Sequence, residues 1–135
     1  MSLFRLVYAS TSLLSDEPDL ASEQIEQILV ASRRNNEAAE ITGALLFSDT
    51  NFSQVLEGPR AEVEGLYYET LHQDPRHKDL ILLLGERLAA RQFPDWSMAY
   101  IGLHQWAKQA AGPPSLEPAG ARRLLALMGQ TLNRG

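Results

Sequence analysis

Three polar side chains occupy positions where the surrounding sequence predicts burial, and together they could bind a polar ligand: Tyr8, Asn36 and Gln54. Successive side chains of a strand point to opposite faces, so Gln54 shares a face with Phe52 and Leu56. A buried amide group without a hydrogen-bond partner costs about 1–3 kcal/mol. The fold or a ligand must therefore supply partners for Gln54, whose amide can donate or accept without changing charge.

Tyr8 and Asn36 are predicted to point toward the same interior as Gln54. Tyr8 shares a strand face with Phe4 and Leu6, and Asn36 continues the apolar stripe of a predicted helix. Each residue also has a structural interpretation of its own. Tyr8 fits a core tyrosine with its hydroxyl at the edge of the core, Asn36 fits the C-terminal end of a helix, and Gln54 fits a strand end that reaches solvent. Taken together, they suggest a polar cluster lining an apolar cavity, which is how a planar heteroaromatic cofactor is held.

The composition of the chain limits the classes of protein to which it can belong. With 135 residues, 44% of them hydrophobic, the chain fits one domain with a core, and its net charge of −5 argues against a nucleic-acid partner. The lack of cysteine excludes disulfides, thiolate metal ligands and cysteine nucleophiles, and the three histidines show no metal-binding spacing. No segment has the length and apolar character of a signal peptide or a membrane span. We therefore predict a cytoplasmic protein without a metal or a membrane partner.

Hydrophobic periodicity predicts the elements that position the three polar side chains. Their order is βαββαββ, which indicates an α+β, ferredoxin-like sandwich with two helices on one face of a five-stranded mixed sheet. The continuous apolar run at 80–84 predicts a strand covered on both faces, whereas 10–19 and 88–95 are predicted to be irregular. The predicted strands are 3–9, 42–47, the segment around Gln54, 80–84 and 96–103, and the predicted helices are 20–36 and 59–73.

The last part of the chain is predicted to be an extension of the domain. We expect the domain over residues 1–104 and a linker with a helix over 105–135, because 110–118 is rich in glycine and proline. A helix this short needs a surface to cover. We expect it to cover the second face of the sheet, or another copy of the chain. Its apolar stripe consists of Ala121, Leu124, Leu125, Met128 and Leu132.

Five segments of the sequence, in their order and spacing, resemble BLUF domains, the blue-light sensors that use FAD. The resemblance covers roughly residues 3–104, and it is specific because the five segments match together. The matching segments are Arg5–Tyr8, Asn35-Asn36 with Ile41–Leu46, Phe52–Gly58, Asp74–His77 and Phe93–Met98.

The resemblance implies roles for these residues around a flavin ring held between the two helices. The ring edge would be hydrogen-bonded to Asn36 and Gln54, and Tyr8 would be the photoactive tyrosine. The remaining cofactor-binding residues would be Asn35 beside the ring and Ile25, Ile28, Leu45 and Phe52 as apolar walls.

Two further pairs are implied by the same resemblance. Arg76 and His77 fall near the ribityl-phosphate tail, where positive charge suits phosphate, although an Arg-His turn also suits a solvated corner. Trp96 and Met98 match the tryptophan and methionine of the family that are debated to exchange places beside the glutamine. Both residues also suit simple packing in the core. The cofactor would be FAD, with FMN or riboflavin as alternatives.

The function implied by the resemblance is blue-light sensing without enzyme activity. Tyr8 would donate an electron and a proton to the excited flavin, and after their return Gln54 would be rotated or tautomerised. The chain has no cysteine, which excludes the adduct chemistry of LOV-type sensors. We expect a homo-oligomer, and a signal that leaves through a separate protein or a change in assembly. Our hypothesis is that the Met98 strand moves with Gln54 and shifts the docking of residues 121–132.

Two other functions remain open from the residues themselves. One is an α+β binding module without flavin, in which Gln54 and Asn36 satisfy each other. The other is a small hydrolase such as an acylphosphatase, which needs an arginine in a phosphate-binding loop. Arg5 lies inside a predicted strand, on the face opposite Tyr8, so the hydrolase fits poorly. The contact surface for a partner would include Leu124, Leu125 and Met128, unless these residues pack within the chain.

Overall fold

Five strands form one mixed sheet within the residues that the computed structural model describes, namely 2–48, 50–95, 97–108, 113–114 and 116–133, except the side chains of Leu103, His104 and Asn133. They lie in the order β4-β1-β3-β2-β5, and neighbours are antiparallel except β2 and β5. This confirms the predicted α+β, ferredoxin-like class. The strands are β1 (Leu3–Ser12), β2 (Thr42–Ser48), β3 (Asn51–Pro59), β4 (His77–Leu88) and β5 (Ala99–Ile101).

Two helices pack on the face of the sheet that carries Tyr8 and Gln54. The first, α1, spans Pro18–Ala38, two residues earlier than predicted, because proline is tolerated in the first helical turn, where its missing N–H is not needed. The second, α2 (Arg60–Gly65), continues through a π-helical turn at Leu66–Thr70 and a 3₁₀ turn at Leu71–Gln73. Their core with the sheet includes Leu6, Tyr8, Leu29, Leu56, Val63, Tyr67 and Met98.

The opposite face of the sheet is covered by the C-terminal part of the chain, as predicted. A short helix that was not predicted, α3 (Leu103–Ala107), precedes a 3₁₀ turn at Pro118–Gly120 and the helix α4 (Ala121–Asn133). The apolar stripe of α4 packs on the strand side chains that point to this opposite face, away from the core under α1 and α2. This second core includes Val7, Leu46, Val55, Phe93, Ile101, Leu124, Leu125 and Met128. The three residues proposed as a partner contact are therefore buried within the chain.

The prediction that the apolar run of β4 is covered on both faces is wrong. β4 is an edge strand, and Ile81 and Leu82 are 47% and 41% exposed. The pairing of β1 with β4 shifts between Val7 and Tyr8, and such a bulge re-aims the side chains beside it. Of this run, only Leu83 is fully buried, on the α4 side. A continuous apolar run shows hydrophobicity but not position in the sheet, which depends on the strand order.

The bounds of two other strands differ from the prediction. Residues 10–12, predicted to be a loop, belong to β1 because Ser10 and Thr11 pair with Phe52 and Asn51 of β3. The fifth strand is three residues long rather than eight, and the predicted strand residue Trp96 lies outside the described residues. Among the helices described, none is both long and apolar enough to cross a membrane.

Candidate functional site

Tyr8 and Gln54 form a buried hydrogen-bonded pair on the face covered by α1 and α2. They are directly opposite each other in the antiparallel register of β1 and β3. The Tyr8 hydroxyl donates to Gln54 Oε1. Burial, followed by the negative charge of Asp74, raises the pKa of Tyr8 far above its ordinary value, so the phenol stays protonated at neutral pH. Gln54 Oε1 therefore accepts from a protonated Tyr8 hydroxyl in this structure.

The other end of the Gln54 amide has a much weaker partner. Gln54 Nε2 donates to Met98 Sδ at 3.4 Å, and a thioether sulfur is a weak acceptor. An amide nitrogen carries two N–H donors, and the described residues provide no second acceptor for this one. Gln54 can therefore donate a hydrogen bond to a ligand on this side.

Asn36, near the C-terminal end of α1, is the second buried amide of the site. Its Nδ2 donates to the Ser97 carbonyl at 2.9 Å, and Arg33 Nε donates to the Met98 carbonyl at 3.0 Å. Two side chains of α1 thus hold the segment that leads into β5. Within the described part of the chain, no donor bonds to Asn36 Oδ1, and the side chain borders the same cleft as Gln54. Its oxygen can accept a hydrogen bond from a ligand.

A cleft opens between α1 and the π-helical turn, with the sheet as its floor. It measures about 670 Å³ with its mouth included. The π-helical turn contributes Leu66 and Thr70, and such turns often occur at functional sites because they redirect side chains from the regular helix. The cleft is lined by Tyr8, Ile28, Ala31, Ser32, Asn35, Asn36, Leu45, Phe52, Gln54, Leu66, Thr70, Leu71, Asp74, Arg76 and His77.

Charged and polar groups stand at one end of this cleft. Arg76 forms a two-point ion pair with Asp74, with Nη2 at 2.7 Å from Oδ2 and Nε at 2.9 Å from Oδ1. Burial acts to raise the pKa of Asp74, but the hydrogen bonds from Arg76 outweigh it and lower that pKa. Both ring nitrogens of His77 are engaged within the protein, Nδ1 with Ser10 Oγ at 2.8 Å and Nε2 with the Leu71 carbonyl at 2.7 Å.

The chemistry of this site fits a flat heteroaromatic ring such as a flavin. Apolar walls from Ile28, Leu45 and Phe52 suit the ring faces. At the ring edge, Gln54 Nε2 supplies a donor and Asn36 Oδ1 supplies an acceptor. Gln54 and Asn36 do not satisfy each other, because each bonds elsewhere. This geometry argues against the binding module that was predicted as an alternative.

Most of the residues predicted for the site come together in the cleft. Two do not line it. Ile25 packs beside the core of α1 and the sheet, and Met98 lies behind Gln54 and contacts its amide. Trp96 is outside the described residues, so its place relative to Gln54 stays a prediction. The predicted residues that line the cleft are Tyr8, Ile28, Asn35, Asn36, Leu45, Phe52, Gln54, Arg76 and His77.

Sequence reasoning missed six residues that line the cleft. Ala31 and Ser32 extend the inner side of α1, and Ser32 lies on the stripe of Ile28 one turn later. Asp74 precedes Arg76 by two residues, a spacing that could have indicated their ion pair. The positions of Leu66, Thr70 and Leu71 depend on the π-helical turn, for which the sequence carries no recognisable signal.

Comparison with known proteins identifies the family. The family model described as "BLUF: Sensors of blue-light using FAD" matches residues 3–99. The chain belongs to the BLUF family. It is therefore a blue-light photoreceptor domain that binds a flavin. The match to a family of sensors agrees with the prediction of a sensor rather than an enzyme. The hydrolase alternative needs an arginine at a phosphate site, but Arg5 lies on the sheet face opposite the cleft.

BLUF proteins of different sizes resemble the chain. It is 37% identical over 91 residues to the "Blue light- and temperature-regulated antirepressor BluF" of Escherichia coli (strain K12), covering 67% of this chain and 21% of that protein. The chain thus spans about a fifth of the length of this curated relative. The dark-state structure of BlrB, a BLUF protein, matches with a TM-score of 0.81 and 32% identity, covering 98% of this chain and 96% of BlrB.

An enzyme that contains a similar domain also matches. The structure of a bacterial light-regulated adenylyl cyclase aligns with a TM-score of 0.67 and 31% identity, over 98% of this chain and 34% of that chain. About two thirds of the cyclase chain therefore lies outside the aligned region. The similarity concerns the BLUF domain and not the cyclase domain.

Proposed function

We propose that this BLUF domain reports blue light through an exchange of hydrogen bonds at Gln54. The observation that carries the proposal is the unequal satisfaction of its amide. Tyr8 donates to Oε1, whereas among the described residues the Met98 sulfur is the one partner of Nε2. An amide with one strong and one weak partner can turn over when the strong partner changes. The exchange leaves the charge of the site unchanged, so the fold does not need to accommodate a buried ion.

Asn36 and Gln54 would orient the ring, and apolar walls would keep water from it. Asn36 is suited to this role because its Nδ2 is fixed to the Ser97 carbonyl and its side chain borders the cleft, so its Oδ1 can accept from a ligand there. Ile28, Leu45 and Phe52 would contact the ring faces. Exclusion of water strengthens the hydrogen bonds at the edge, because the local dielectric constant falls.

Tyr8 would supply the electron and the proton for the photochemical step. A bound flavin excited by blue light would itself be the oxidant that accepts them. The Tyr8 proton lies in the hydrogen bond to Gln54 Oε1, so the amide is the first group that can receive or relay it. After the electron and proton return to Tyr8, Gln54 would remain rotated or tautomerised. One exchanged hydrogen bond is worth about 0.5–1.5 kcal/mol, enough to shift a two-state equilibrium several-fold.

We propose FAD as the cofactor, with Arg76 rather than His77 at the phosphates. The family description names FAD. The ring nitrogens of His77 are both used within the protein, whereas Arg76 is about a third exposed and its Nη1 makes no hydrogen bond to the described residues. Because Asp74 neutralises much of the Arg76 charge, we expect the phosphates to add only modestly to affinity.

Arg76→Ala should weaken the binding of FAD while leaving that of riboflavin nearly unchanged. The expected loss for FAD is about 3-fold to 10-fold, the size of one partly screened charged contact. The measurement is titration of the apoprotein with each flavin, followed by fluorescence quenching. Arg34→Ala, on the exposed side of α1, is the matched control. Equal loss of affinity for both flavins would show that Arg76 maintains the cleft and does not contact phosphate.

We also propose that the signal leaves the domain through a separate cytoplasmic protein or a change of assembly between copies. The E. coli relative is named an antirepressor, which supports output through a protein partner. The net charge of −5 suits such a partner better than a nucleic acid.

The experiment that tests the proposed function is a light-minus-dark absorption spectrum of the purified protein loaded with FAD. We expect a yellow protein whose flavin absorption shifts slightly to longer wavelength under blue light and returns in the dark, because hydrogen bonds to the ring are rearranged and no bond is formed. Heat-denatured protein releases its flavin and serves as the control. A bound flavin with identical spectra in light and dark would contradict the proposal.

A further inference from the structure

A buried ion pair lies on the same two strands as the Tyr8–Gln54 pair, but on the opposite face of the sheet. Arg5 and Glu57 are direct partners in the register of β1 and β3, three residues along from Tyr8 and Gln54. Because three residues is an odd number, the two pairs face opposite ways. Glu57 is completely buried, and its Oε2 accepts from Arg5 Nε at 2.9 Å.

Glu57 also holds the connection between β4 and β5. Its Oε1 accepts from the backbone N–H groups of Gln92 and Phe93, at 2.9 and 2.8 Å. The same connection ends at Met98, whose sulfur contacts the Gln54 amide. The ties of the connection to β3 therefore include one on each face of the sheet. A change at Gln54 would act on the Met98 end of the connection, while Glu57 holds the Gln92–Phe93 end.

The side chain of Gln92 joins this connection to α4. Gln92 Oε1 accepts from Arg5 Nη2 at 3.1 Å, and Gln92 Nε2 donates to the Leu125 carbonyl at 3.2 Å. Leu125 lies in the buried stripe of α4 and packs in the same core as Phe93. The connection thus contacts α4 both through this hydrogen bond and through the packing of Phe93.

Gly129 provides an independent observation on the same contact. A glycine within a helix lowers helix stability, so it usually has a packing reason. A Cβ atom at Gly129 would lie 2.8 Å from Gln92 Nε2, closer than real contacts allow. The missing side chain therefore makes room for the Gln92 amide against α4.

We propose that the hydrogen bond from Gln92 to Leu125, with the space left by Gly129, is the contact through which a change at Gln54 reaches α4. Gln92 and Gly129 are positioning residues for output and touch neither flavin nor Gln54. The proposal rests on the proposed function of the domain and adds the route of its signal. A second tie of α4 to the sheet joins Arg122, which is 68% exposed, to Glu86, and solvent screening at the exposed guanidinium weakens it.

Two variants remove the contact in opposite ways. Gln92→Ala deletes the donor. Gly129→Ala keeps the donor but displaces its tip, and it also strengthens α4 through the higher helix propensity of alanine. The controls are Gln24→Ala, which removes the acceptor of the Ser15 N–H, and Gly65→Ala, whose Cβ would have its nearest contact at an ordinary 3.7 Å.

Two readouts on the full chain loaded with FAD separate signalling from stability. One is the light-induced red shift, and the other is the difference in hydrogen exchange of residues 121–133 between light and dark. We expect all four variants to keep the red shift. Gln92→Ala and Gly129→Ala should reduce the exchange difference about threefold or more, as expected for one hydrogen bond, and the controls should not.

The protection of α4 in the dark distinguishes this role from mere packing. Gly129→Ala should raise the protection of α4 in the dark and Gln92→Ala should not, yet both should show the reduced light response. An exchange difference that survives in both variants, or that is absent from the wild-type chain, overturns the proposed route while the red shift still supports the photoreceptor function. Loss of the red shift in the wild-type chain overturns the proposed function itself.

Discussion

Replacement of Gln54 by leucine is expected to abolish the light-induced red shift while flavin stays bound. Leucine fills a similar volume but can neither accept from Tyr8 nor donate to the ring, so no hydrogen bond can be exchanged. Asn36 and the apolar walls remain to hold the flavin. The Tyr8 hydroxyl loses its acceptor in a buried site, and we expect the free energy of unfolding to fall by about 1–3 kcal/mol. The measurement is the light-minus-dark spectrum at equal flavin occupancy.

Tyr8→Phe tests the same pair from its other side. This variant removes the donor and leaves Gln54 in place, so it should also lose the red shift. Gln24→Leu is the matched control, because it makes the same substitution at an amide outside the cleft, and its red shift should equal that of the wild-type protein. An unchanged red shift in Gln54→Leu would be incompatible with the mechanism that we propose, whatever the behaviour of Tyr8→Phe.

The sequence predicted best those residues whose burial can be inferred from their neighbours along the chain. Gln54 stands out because Phe52 and Leu56 mark its strand face as buried, and the structure buries all three. The docking of α4 was predictable for a related reason. An apolar stripe on a short helix and an uncovered sheet face each require a partner, and they are in the same chain.

The features that could not be predicted depend on contacts between distant segments. Glu57 follows Val55 on the same strand face, so burial could be inferred, but its pairing with Arg5 requires the strand order and register. The exposure of Ile81 in the edge strand depends on that same order. The role of Gln92 depends on a side chain that crosses from an irregular connection to α4. No pattern of residue spacing in the sequence indicates such a contact.

The largest loss of stability is expected from Glu57→Ala. This carboxylate is completely buried and accepts from Arg5 and from two backbone N–H groups, so its removal leaves Arg5 with Glu86 as its remaining carboxylate partner, at 3.0 Å, and leaves the N–H groups of Gln92 and Phe93 without their acceptor. Breaking one side of a buried ion pair costs about 3–5 kcal/mol. Urea denaturation at pH 7, with and without FAD, measures the loss. Glu64→Ala is the control. It removes an exposed pair with Arg60 one helical turn away and should cost about 0.3–0.5 kcal/mol.

A double variant separates the ion pair from the anchoring of the connection. In Arg5→Met with Glu57→Leu, no unpaired charge remains, and buried pairs replaced by apolar residues of similar volume often regain the lost stability. Here we expect only partial recovery relative to Glu57→Ala, because the N–H groups of Gln92 and Phe93 still lack an acceptor. Full recovery would mean that the connection is held by packing alone. A double variant no more stable than Glu57→Ala would mean that the two backbone bonds, rather than Arg5, are the main partners of this carboxylate.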